Sequence, residues 1–213
     1  MVEINNSLTQ TKDSQSLIDA AAAKQLLEAG NARFVSKQGL SRDLNTQVHE
    51  TSTGQYPFAA VVSCIDSRIP TEIVFDQGIG DIFNARVAGN FVNDDILGSL
   101  EFACKLAGSK LIVIMGHTSC GAVKGACDHA QLGLLTQMLD KIMPAVDSTE
   151  TDEGEERNSG NLNFVNRVAV KNVHMTIQNL LNSSEVLRTM KENGEIDVVG
   201  AMYHVDSGKV EFL

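Results

Sequence analysis

Apolar side chains recur along this chain with two distinct periods. Between Ser14 and Val35, the residues Leu17, Ile18, Ala21, Ala22, Leu26, Leu27 and Phe34 fall at helical spacing, which predicts one or two amphipathic helices with Ser14 or Ser16 as the opening cap. Three later runs have strand length: Phe58 to Ser63, Asp81 to Val87 and Lys110 to Gly116. The third is continuous and β-branched, as a strand covered on both faces should be. Helical spacing returns at Ile96, Leu97, Leu100, Phe102, Ala103 and Leu106, closing near Gly108, and again over Phe164 to Leu181, with a shorter helix from Ser184 to Asn193. Glu195 to Val205 and Lys209 to Leu213, joined at Asp206-Ser-Gly208, read as a terminal hairpin. Gly39 to Gly54 is polar and turn-rich, and Asp147 to Asn161 sets six acids against Arg157, the composition of a solvated loop.

Short buried strands alternating with helices predict an α/β fold: a mostly parallel central sheet flanked by helices, with an N-terminal helical arm and a C-terminal hairpin. The chain reads as a single domain over 1–213, with arm and loop over 1–54 and an α/β core over 55–213. The apolar stripe of the arm precedes the first strand by a long interval, so it is placed to dock on a distant surface or a second subunit.

With 213 residues and 43% hydrophobic side chains, the chain can bury a sizeable core without staples, so a metal would serve chemistry rather than folding. The net charge of −10 has the wrong sign for nucleic acid, and the apolar runs are far below the roughly 20 residues that span a bilayer. Met1 to Ser7 shows no basic and apolar leader, so the expected compartment is the cytoplasm, or the periplasm for a form already trimmed. Four cysteines are too few for a secreted disulfide framework and read as thiols or metal ligands.

Two motifs carry chemistry: Cys64-Ile-Asp66-Ser-Arg68 and Gly116-His117-Thr-Ser-Cys120-Gly121. Each lies just past a parallel strand, where open α/β sheets collect ligands. Two thiolates and an imidazole suit Zn²⁺ and leave one position open for solvent. Asp66 either orients that solvent, aimed by Arg68, or swings onto the ion as a fourth ligand and closes the site. Cys104 and Cys127 lack a partner set and read as ordinary buried thiols, and no histidine besides His117 has ligand-like neighbours.

Cys-x-Asp-x-Arg followed by His-x-x-Cys-Gly resembles the β-class carbonic anhydrases, and the resemblance extends through Leu26 to Phe34, Gly80 to Arg86, Gly89-Asn90 and Ser99 to Phe102. It implies reversible hydration of CO₂ to bicarbonate and a proton by attack of zinc-bound hydroxide, with one Zn²⁺ per chain. Cys64, His117 and Cys120 would be the ligands, Asp66 and Arg68 the catalytic dyad, and Asp66 a ligand in a closed state. It further implies a homodimer or a tetramer built as a dimer of dimers, with the helical arm reaching over the partner. Gln55 matches the substrate-binding glutamine of the plant-like subtype, while Phe83 and Ala88 align with apolar pocket residues, Ala88 where a valine is usual. Gly121 offers a small side and backbone N–H to the product oxygens. Val61 stands where another subtype carries a regulatory tryptophan, and the chain has no Trp, so an open site is expected. A related branch hydrolyses CS₂ or COS on the same fold, and a zinc-stabilised oligomer without turnover is the non-enzymatic alternative.

Overall fold

A computed structural model describes residues 6–213; the reading of Met1 to Asn5 as free of a leader lies outside the described residues. Along the chain, α1 (Lys12–Ser16), α2 (Ala20–Ser36) and α3 (Leu44–Glu50) precede β1 (Ala59–Ser63), α4 (Thr71–Val74) and β2 (Ile82–Arg86). There follow α5 (Asp94–Glu101), running into a π-helical turn at Phe102–Leu106, then β3 (Leu111–His117), α6 (Gly121–Cys127), α7 (Gly133–Leu139) and α8 (Met143–Ser148). Helices α9 (Leu162–Ser183) and α10 (Glu185–Glu192) lead to β4 (Asp197–Tyr203) and β5 (Val210–Phe212).

The five strands lie in the order β2-β1-β3-β4-β5, the first four parallel and β5 antiparallel to β4. β3 occupies the centre, buried from Leu111 to His117, which explains its unbroken apolar run. The C-terminal ends of β1 and β3 are in register, Ser63 opposite Met115, so the residues that follow these strands emerge side by side.

The arm folds on its own chain. Ile18, Ala23 and Leu27 are buried in the core, and Asn31 ties α2 to the hairpin by donating to the Gly208 carbonyl and accepting from the Val210 N–H. Leu17 and Ala21 remain exposed, so only part of the predicted stripe is used within the chain. The caps differ from expectation: Thr11 opens α1 in a capping box with Ser14, and Asp19 opens α2. The polar segment 39–54 contains α3, capped by Asp43, whose buried residue is Gln47 rather than an apolar one.

Candidate metal centre and active site

Cys64 follows the end of β1, His117 closes β3, and Cys120 opens α6, all three buried. Their ligand atoms lie within 4.8 Å of one another. A tetrahedral zinc with Zn–S near 2.3 Å and Zn–N near 2.0 Å sets ligand atoms roughly 3.5–3.8 Å apart, so the cluster needs only a small contraction to take the ion. His117 Nδ1 lies 3.0 Å from the Thr118 carbonyl, which only accepts, so Nδ1 carries the proton and Nε2 is bare. Nε2 is buried with no hydrogen-bond partner among the described residues, an orphan that a metal would satisfy.

The thiols fit the same requirement. A hydrogen bond from Cys120, aided by the Gly89 N–H, pulls the Cys64 thiol well below its ordinary range, whereas Cys64 and burial together push Cys120 up. A dication between them would favour both sulfurs as thiolates.

Beside the ligands, Arg68 grips Asp66 in a fork, Nε to Oδ1 at 2.9 Å and Nη2 to Oδ2 at 2.7 Å, while the Arg68 backbone N–H adds a third bond to Oδ1 at 3.0 Å. The arginine holds the carboxyl well below the usual carboxylate range. Asp66 Oδ2 lies 3.9 Å from His117 Nε2, so the carboxylate borders the cluster with both oxygens committed to Arg68.

A family model described as "Carbonic anhydrase" matches residues 59–210, which contain the whole of this cluster and the four parallel strands of the sheet that carries it. The chain belongs to the carbonic anhydrase family. Its β class follows from relatives and folds together, and its reaction class is that of a carbonate dehydratase. A carbonic anhydrase of Mycolicibacterium smegmatis is 35% identical over 196 residues, covering 89% of this chain and 91% of the relative. Carbonic anhydrase 2 of Mycobacterium tuberculosis is 33% identical over 195 residues, covering 88% and 90%. Among solved structures, the β-carbonic anhydrase CafA of Aspergillus fumigatus superposes with a TM-score of 0.67 at 28% identity, covering 91% of this chain and 89% of that one. A structure from work on two tetrameric β-carbonic anhydrases of Sordaria macrospora gives 0.65 at 25% identity, covering 79% and 90%.

Within this family site, the remaining predicted residues are dispersed. Ala88 neighbours Gly89, whose N–H lies 3.4 Å from Cys64 Sγ, and Gly121 follows Cys120 with open space where a Cβ would stand. Gln55 and Phe83 are elsewhere. Gln55 is exposed and precedes β1, at the end of that strand opposite Cys64. Phe83, partnered with Ala60 rather than with the strand end, stacks edge-on with Phe102 at 6.1 Å and lines a cleft of about 500 Å³ between β2 and α5.

Sequence reasoning missed the residues that hold the two motifs. Arg86, at the end of β2, donates to the Cys64 carbonyl at 2.9 Å and the Asp66 carbonyl at 2.7 Å, bracing the first motif from the neighbouring strand. Asn172 on α9 donates to the Gly89 carbonyl at 2.8 Å, and Asn166 accepts from the Ser119 N–H at 2.9 Å. The only signal for Arg86 was its place in the quoted Gly80 to Arg86 segment.

Proposed function

We propose that this chain catalyses the reversible hydration of CO₂ to bicarbonate and a proton, with one zinc ion per chain held by Cys64, His117 and Cys120. The observation that carries the reading is the buried, bare Nε2 of His117 gathered with two thiol sulfurs, bordered by a carboxylate committed to an arginine. When bound, zinc supplies the Lewis acidity that makes water a nucleophile near neutral pH.

The protein's own residues do the rest. Asp66 is acceptor-only while ionised, so it takes a hydrogen bond from the attacking oxygen and orients its remaining lone pairs toward substrate. Arg68 fixes that carboxylate in one direction through two parallel bonds and, by occupying both oxygens, favours an open site over a closed one with Asp66 as ligand. Gly121 leaves room for a small linear substrate, and Ala88 would add apolar surface next to Gly89, whose N–H faces Cys64 Sγ.

Gln55 and Phe83 serve the site of a second copy in this reading, because Gln55 lies ahead of β1 and Phe83 near the start of β2, whereas the ligands lie at the other ends of their strands. A homodimer, or a tetramer made of two, brings them there. Tetrameric relatives of the same fold support that assembly.

Stopped-flow hydration of CO₂ on metal-quantified protein tests the reading. Rapid turnover scaling with zinc content is expected. Zinc at one per chain with no turnover from neutral to alkaline pH would leave a structural metal only, and sulfide release from CS₂ with little hydration would move the substrate to the related branch.

A further inference from the structure

Helix α9 reaches the metal centre through an amide that the ligand set does not itself require. The Ser119 backbone lies between His117 and Cys120 with φ of 55°, in the left-handed region that a β-carbon disfavours, so something must hold it there. Its N–H is taken by Asn166 Oδ1 at 2.9 Å. Its carbonyl receives Arg68 Nη2 at 3.5 Å, the same nitrogen that donates to Asp66 Oδ2 at 2.7 Å. The preceding residue is strapped to β4 and the turn beyond it: the Thr118 N–H donates to the Tyr203 carbonyl at 3.0 Å, and Thr118 Oγ1 accepts from the Val205 N–H at 3.1 Å. The turn is thus pinned at Thr118 by the sheet, at the Ser119 N–H by α9 and at the Ser119 carbonyl by Arg68.

We infer that Asn166 is a positioning residue for the hydration reaction: its amide oxygen fixes the Ser119 turn, and through that turn both the Cys120 sulfur and the guanidinium that aims Asp66. The inference rests on the metal-hydratase reading above. Loss of the acceptor leaves the Ser119 N–H without its partner and frees a strained peptide to relax. Cys120 is the next residue and Arg68 contacts the Ser119 carbonyl, one α-carbon beyond the N–H that Asn166 holds, so a turn of the Ser119 backbone moves both halves of the site together.

The test compares the zinc-loaded full chain with Asn166→Leu, which removes the acceptor, and Asn166→Asp, which keeps an acceptor oxygen at the same reach. Asn166→Leu is expected to lower kcat by about tenfold or more with KM within about twofold. It should also release zinc to a chelator about tenfold faster, as removal of groups that orient metal ligands does elsewhere. The melting curve of the metal-free protein should be unchanged, and Asn166→Asp should restore both kcat and zinc retention. Parental kcat and zinc release in Asn166→Leu, or losses that Asn166→Asp fails to restore, would overturn the assignment. If the parent protein itself turns over no CO₂, the hydratase reading falls, and the zinc-release comparison still decides whether Asn166 positions Cys120.

Discussion

Asp66 accepts three hydrogen bonds from Arg68, and the arginine holds its carboxyl far below the ordinary value of 3.8. That ordinary value already ionises the group at pH 7, so charge is not what Arg68 adds near neutrality; direction is. Arg68→Ala is therefore expected to cut kcat by about tenfold or more while leaving the pH at half-maximal rate in place, and Arg68→Lys, which returns a cation without the fork, should not rescue it. A pH–rate profile displaced with normal plateau activity would contradict this. Asp66→Asn should keep zinc at one per chain and lose about a hundredfold in rate, since an amide presents a donor where an acceptor is needed. A fully buried carboxyl, Asp81, behaves oppositely. Burial pushes Asp81 up to about 6, and its one bond, from the Gly78 N–H at 2.6 Å, offsets only part of that cost. Because the folded value is raised, the native state binds more protons than the unfolded chain between about pH 4 and 6. Stability falls as pH rises through that window, by about 3 kcal/mol, and is flat above it. Urea midpoints of Asp81→Asn against the parent at pH 4.5 and 7 should show that slope in the parent alone.

The strands and the long helix were legible from pattern because burial wrote them in apolar residues: β3 is covered along its whole length, and α9 buries Phe164, Val165, Val168 and Val173. Helix α3 was not, for a physical reason. Its two apolar residues, Leu44 and Val48, are 52% and 55% exposed, and its inward residue is Gln47, which accepts from the Ile79 N–H at 3.0 Å, so no hydrophobic period exists to be read. The cluster of Cys64, His117 and Cys120 was legible because thiolate and imidazole chemistry is specific to residue type, whereas its braces, Arg86, Asn166 and Asn172, act through backbone carbonyls and amides that any sequence supplies. Gly89 shows how far element packing reaches into the site. Its φ is +84°, and a Cβ there would lie 2.4 Å from Ile142 Cδ1, while its N–H faces Cys64 Sγ at 3.4 Å. Gly89→Ala combines a left-handed penalty of about 1–2 kcal/mol with overpacking of about 1–3 kcal/mol. Denaturant unfolding should register about 2–5 kcal/mol of lost stability, with weakened zinc retention as the Cys64 loop shifts.

The sheet has a polarity that separates the cluster of Cys64, His117 and Cys120 from two of the proposed substrate groups. Cys64 leaves the C-terminal end of β1, and Gln55 enters ahead of its other end, with five strand residues between them at about 3.3 Å each. No rotamer of Gln55 closes that gap, so a glutamine acting on substrate must act on the site of another copy. Subunit mixing decides the matter. Gln55→Ala alone should lose about tenfold in rate, the scale of one substrate hydrogen bond, and Asp66→Asn alone should be nearly inactive. In a mixed dimer, the Gln55→Ala chain retains Asp66 and receives Gln55 of the partner subunit, giving one intact site; the other site lacks both groups. Co-expressed, differently tagged chains purified as the mixed species should then recover close to half of parental activity per dimer. If Gln55 served its own chain, the mixed species would instead carry one site lacking Gln55 and one lacking Asp66. Its rate would be no more than the mean of the two parents, about a twentieth of the unsubstituted enzyme. The two arrangements thus differ by about tenfold in one rate measurement, which does not depend on whether the dimers pair further into tetramers.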